Sequence, residues 1–192
     1  MSEQPRDTAA EATHPGQEGT VNFHWDALMT VWEPRSHFSD DEIWATPDCI
    51  RLGNCRIPIL NGEALLVFLC VHFAFHHEFD GLLLLCNLYL LLRCDAERIN
   101  WNRLIAIASQ CRCRTAFYYA LFFAKAVMAA PVRSDILDRL RPPALTQALM
   151  PTGRPLFRDS IVPKMLERHV KFLLINSLEG RWRAFRVRFT VM

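Results

Sequence analysis

The chain has 192 residues, of which 51% are hydrophobic and 22% charged, and it carries a formal charge of +2 at neutral pH. That length suits one ordinary domain with a sizeable core, and the composition excludes both an intrinsically disordered chain and a polytopic membrane protein. The near-balanced charge sets up no field that would make nucleic acid the default partner.

Residues 1–19 are polar and show no hydrophobic period, so they cannot bury enough surface to offset the entropy of ordering and are expected to form a disordered tail. They also lack the basic start and apolar run of a secretory signal. Val21 to Trp25 alternates apolar and polar residues, the period of a half-buried strand. Asp40, with Ile43 and Trp44 following, can open a short helix that Pro47 ends. From Cys49 to Leu60 two β-favouring pieces flank Gly53-Asn54, a pair suited to a tight hairpin turn.

Long helices are expected next. Asn61 can cap one over Gly62 to His77, Phe79-Asp80-Gly81 breaks the chain, and a second runs from Leu82 to Arg93. Asn100 can cap a third through Gln110, in which Trp101, Leu104, Ile105 and Ala108 recur at helical spacing. A fourth spans Thr115 to Ala129 before Pro131, and Ser134 can cap a short fifth that stops before Pro142-Pro143. Residues 159 to 178 read as another helix, with Ile161, Met165, Val170, Leu173 and Leu174 on one side. The segment 181–192 fits both a strand and a helix.

The longest apolar runs, Ala64 to Phe75, Leu82 to Leu92 and Ala116 to Pro131, are too short or charged for a bilayer, which needs about 20 apolar residues per helix. They are expected as buried helices. Seven cysteines with no C-x-x-C pair read as free thiols behaving as small hydrophobes, and a reducing cytoplasm is the expected setting.

An ordered series of features resembles an uncharacterised family of bacterial nucleotidyltransferases in the polymerase-beta-like superfamily. It comprises the strand Val21-Asn22-Phe23-His24-Trp25, the hairpin RLGNCRIPIL and a helix bearing Leu65-Leu66, Leu69, His72 and His76. Leu82, Leu85 and Asn87-Leu88 on a second helix and Asn100-Trp101 opening a third complete it. The resemblance implies that complete relatives place a Gly-Ser turn and an Asp-x-Asp pair ahead of the His-Trp strand, where carboxylates hold magnesium against a nucleoside triphosphate. It also implies a fold class: mainly α, a helical bundle with a short N-terminal strand and a small β-hairpin, corresponding to the part behind a catalytic sheet. In domain terms, 20–192 would be one such unit after the tail of 1–19.

Nucleotidyl transfer depends on cations that neutralise charge developing on phosphate oxygens, and carboxylates must hold those cations. Here Asn22 stands where the family has a third acid, and Asn87 and Asn100 replace two further aspartates. No Gly-Ser and Asp-x-Asp segment is found ahead of Val21. Asp40 to Glu42 and Asp95 to Glu97 read as helix-end or loop charges. The expectation is therefore a truncated or degenerate nucleotidyltransferase-like protein, inactive alone, with no cofactor of its own and magnesium only in complete relatives.

The residues expected at a binding surface are His24, Trp25, His72 and His76. A second reading is a helical interaction module that meets a protein partner or a second copy through exposed apolar helices. A third is a His-rich metal site, since His72 and His76 share one helix face and His77 adjoins them. A Cys70–His72 nucleophilic pair is disfavoured because residues i and i+2 of a helix point apart. Arg181, Arg183, Arg186 and Arg188, interleaved with aromatics, read as a solvated edge rather than a nucleic-acid contact, and no membrane association is expected.

Overall fold

The computed structural model describes residues 9–13, 20–24, 44–150, 170, 172–176 and 181, the first two segments as backbone. In chain order the elements are β1 (Ala9–Thr13), β2 (Thr20–His24), β3 (Asp48–Leu52), β4 (Cys55–Ile59), α1 (Gly62–Phe75), α2 (Leu82–Asp95), α3 (Trp101–Gln110), α4 (Arg114–Met128), α5 (Ser134–Leu140) and α6 (Ala144–Leu149). The protein is thus mainly α with small antiparallel hairpins, as the residue pattern leads one to expect.

The strand expected over Val21 to Trp25 is β2, and it pairs antiparallel with β1 in the register Ala9↔His24 to Thr13↔Thr20. Ala9–Thr13 therefore departs from the expected disordered tail. Pairing satisfies the backbone groups of a segment whose side chains carry no strand period, which is why the pattern of AAEAT does not announce it. The helix expected after Asp40 falls mainly outside the described residues, and its last part, Trp44 to Thr46, is a bend rather than a helical turn.

β3 and β4 form the expected hairpin, with Leu52 opposite Cys55 across Gly53-Asn54. Gly53 takes φ +59, a backbone state that glycine adopts without a steric penalty and that hairpin turns place at their first central position. Nine of the ten hairpin residues are exposed, so it stands off the helices. Ile50 and Ile57 face each other directly and remain exposed, as does Leu52.

Two Asn caps act as the sequence implies. The Asn61 Oδ1 accepts from the Ala64 N–H at 2.8 Å, while its amide donates to the Thr46 carbonyl and hydroxyl at 2.9 Å, tying the incoming chain to α1. The Asn100 Oδ1 accepts from the Arg103 N–H at 3.1 Å and starts α3. Asn is among the residues that cap a helix best, on a par with Asp. Glu63 links the two starts: it accepts from the Asn100 N–H at 2.8 Å and pairs with Arg103 at 3.3 Å.

α1 and α4 are apolar on nearly every side and form the centre of the bundle, against which α2, α3 and α5 pack. The inner faces bring together Leu66, Phe73, Leu85, Leu88, Phe117 and Tyr119. α3 is amphipathic, but the structure buries Leu104, Ile107 and Ala108 and leaves Trp101 and Ile105 half-buried. The expectation that Leu82 to Leu92 is a buried helix holds on one face only, since α2 buries Leu85, Leu88 and Leu92 but leaves Leu83 74% exposed.

Ser134 is the first residue of α5 rather than its cap, and its hydroxyl accepts from Lys125 at 3.0 Å. α6 follows the Pro142-Pro143 stop and was not expected from the pattern. Of the helix expected over 159–178, residues 170 and 172–174 are helical, whereas Ile175 and Asn176 are not, so among the described residues the helix stops short of the expected end. The ambiguous stretch 182–192 lies outside the described residues. No described helix is long and apolar enough to cross a membrane.

Candidate functional site

The chemistry-bearing side chains gather at the C-terminal end of α1. Phe68, His72 and His76 fall at successive i, i+4 positions, and their rings form a stacked ladder: Phe68 to His72 at 5.3 Å and His72 to His76 at 4.9 Å between centroids. α1 ends at Phe75 rather than at the expected His77, and His76 serves as its C-cap. The chain then reverses, so His77 meets His72 edge-on at 4.8 Å and their Nε2 atoms lie 3.2 Å apart.

The reversal is held by backbone in an uncommon state. Glu78 and Phe79 take φ +45 and +66, which side-chain-bearing residues adopt at a steric cost. Burial of Phe79 offsets that cost: it is 2% exposed and wedged among Phe73, Tyr119 and Phe123. The Phe79 N–H donates to the Phe73 carbonyl at 2.9 Å, closing the turn.

His72 is half-buried, whereas His76 and His77 are exposed. His72, His76 and Glu78 each have further interaction partners. His24 ends β2, and its side chain and the whole of Trp25 lie outside the described residues. The structure thus brings His72 and His76 together, and it adds His77 through a turn that helix periodicity alone does not reveal.

Cys70 faces the opposite way from His72. It is fully buried and burial pushes its thiol up, which removes it as a nucleophile beside the histidines. Cys113 is pushed up as well, first by a hydrogen bond with Cys111 and then by burial. All seven cysteines are free thiols, but only Cys70, Cys111 and Cys113 are buried; Cys86 is half-buried and Cys49, Cys55 and Cys94 are exposed.

A magnesium–triphosphate site needs several carboxylate oxygens converging on one point. Among the described residues the acids do not converge: Glu63, Asp95, Asp135 and Asp138 are each engaged by an arginine. Asp135 is held below the usual carboxylate range, chiefly by its hydrogen bond to Arg133. No three His, Cys, Asp or Glu side chains among the described residues are grouped to hold a metal. Asp95 ends α2 and Glu97 lies in the following turn, as expected of helix-end charges. Asn87 is exposed on α2. These residues do not fit a triphosphate-bound cation.

Of the C-terminal arginines, Arg181 is described. Its guanidinium lies over the Phe172 ring at 5.5 Å and donates to the Ile175 carbonyl at 2.9 Å. Arg183, Arg186 and Arg188 lie outside the described residues.

A family model described as an uncharacterised nucleotidyltransferase matches residues 3–129. The match takes in both hairpins and α1 to α4, including all of the histidine ladder. No curated protein and no solved structure matches the chain.

Proposed function

Since the chain belongs to the uncharacterised nucleotidyltransferase family, we propose that it is a degenerate nucleotidyltransferase-like protein that keeps the helical binding side of the transfer site and does not turn over by itself. Residues His24, Trp25, His72 and His76 form its contact surface for a nucleotide or an acceptor. The observation that carries this reading is the match over 3–129 together with a neutral amide, Asn22, on the His-Trp strand. An amide in place of a carboxylate removes one formal negative charge from a site whose task is to bind cations.

The test is incubation of the purified chain with each nucleoside triphosphate and magnesium, following pyrophosphate release. The expected result is no release above the protein-free background. Turnover that His72→Ala abolishes would refute the inactivity and leave the family's chemistry intact.

A second reading, a protein-interaction module, is favoured by one observation: the β3–β4 hairpin exposes Ile50 and Leu52 at 48% and 67%. Contiguous exposed apolar surface of this kind marks contact sites in soluble proteins. On this reading light scattering after size exclusion gives a mass above the 22.2 kDa monomer, and Ile50→Lys restores the monomer. A monomer at every concentration would count against self-association through the hairpin.

A further inference from the structure

We propose that His72 and His77 form a two-imidazole site for a divalent transition ion of the zinc, nickel or copper class. The proposal is independent of nucleotidyl transfer and differs from the pairing that helix periodicity suggests. His72 and His76 stack ring on ring with an interplanar angle of 25°. His72 and His77 meet at 63°, with Nε2 facing Nε2 at 3.2 Å.

That separation is the informative quantity. Two ligand nitrogens bound to one tetrahedral zinc at ordinary bond lengths lie about 3.3 Å apart. Without metal the same geometry is a hydrogen bond in which one Nε2 carries the proton and the other offers its lone pair. To bind a cation, both neutral rings carry their proton on Nδ1 and turn both Nε2 lone pairs to the ion. A tautomer change is required, together with a tilt of each ring by about 35° so that the two lone pairs meet off the line between the nitrogens.

The site is also held in place before binding. Phe79, buried to 2% exposure, fixes a turn whose Glu78 and Phe79 have positive φ, and this turn delivers His77 to His72. Backbone strain of this sort persists only where surrounding packing over-determines it. The two rings are accessible, since His77 is exposed and His72 half-buried. Imidazole donors select zinc, nickel and copper over magnesium or calcium, which prefer oxygen. The remaining coordination positions are left to water.

The experiment is a titration of the tag-free full chain with zinc against a chromogenic chelator, repeated for His77→Ala and His76→Ala. The other four histidines, at positions 14, 24, 37 and 169, are common to every variant, so differences report this cluster. We expect one equivalent of zinc in the wild type, at least ten-fold weaker binding in His77→Ala, and His76→Ala within about two-fold of wild type. Circular dichroism checks that His77→Ala, an exposed turn substitution, keeps its fold. No saturable equivalent in the wild type, an unchanged His77→Ala, or a His76→Ala loss as large as that of His77→Ala would each overturn the proposal.

Discussion

Phe79→Ala is expected to lower the unfolding free energy by about 3–5 kcal/mol, the range for truncating a fully buried aromatic ring. The ring is 2% exposed and meets Phe73 and Phe123 edge-on at 5.4 and 5.2 Å, so its removal leaves a cavity that three rigid aromatic neighbours cannot collapse to fill. Alanine keeps a Cβ at φ +66 and so retains the steric cost without the compensating burial. Phe79→Gly, which relieves that cost by about 1 kcal/mol, should therefore be no less stable than Phe79→Ala, the reverse of the usual order of these two residues. Urea denaturation measures both. A loss below about 1 kcal/mol for Phe79→Ala would mean that the ring does not carry the turn. Because the same turn presents His77 to His72, the variant should also lose the close approach of the two imidazoles, visible as a change in their ring-proton resonances.

What the sequence makes legible here is local. The turn at Gly53-Asn54 and the caps made by the Asn61 and Asn100 Oδ1 atoms act within three residues of themselves, and each does what its chemistry implies. β1 is hidden because a strand held by backbone pairing needs no side-chain period, and α6 because six residues after a Pro-Pro stop make less than two helical turns. Histidine spacing gives the His72–His76 stack but not the approach of His77 to His72. The decisive bend runs through Glu78 and Phe79, neither of them a residue that announces a positive φ. Asn22, Asn87 and Asn100 look alike as losses of charge. In the structure Asn100 is a helix cap, Asn87 is exposed on α2, and Asn22 lies on β2 opposite Glu11.

Among the described residues the longest-range cap comes from Asn176, 61 residues after the Thr115 that it caps. Cys113, the N-cap of α4, supplies no side-chain bond, yet Thr115 is 1% exposed, so its N–H and hydroxyl cannot turn to water. Asn176 satisfies both: its Oδ1 accepts from the Thr115 N–H at 3.2 Å, and its amide donates to the Thr115 Oγ1 at 2.7 Å. Asn176→Ala is expected to cost about 1–3 kcal/mol, the penalty for buried polar groups left without partners. Asn176→Asp should cost less than half as much, since a carboxylate still accepts from the N–H, takes a bond from the hydroxyl, and is favoured by the helix dipole. The double variant Asn176→Ala with Thr115→Val should be less destabilised than the sum of the two single changes, because removing both partners leaves one fewer orphaned group. Urea midpoints for the four proteins close the cycle, and additive losses would mean that Thr115 finds another partner. Asn176 lies beyond the matched span of 3–129, so a measured coupling makes the later segment an energetic part of the helical body that carries the histidines.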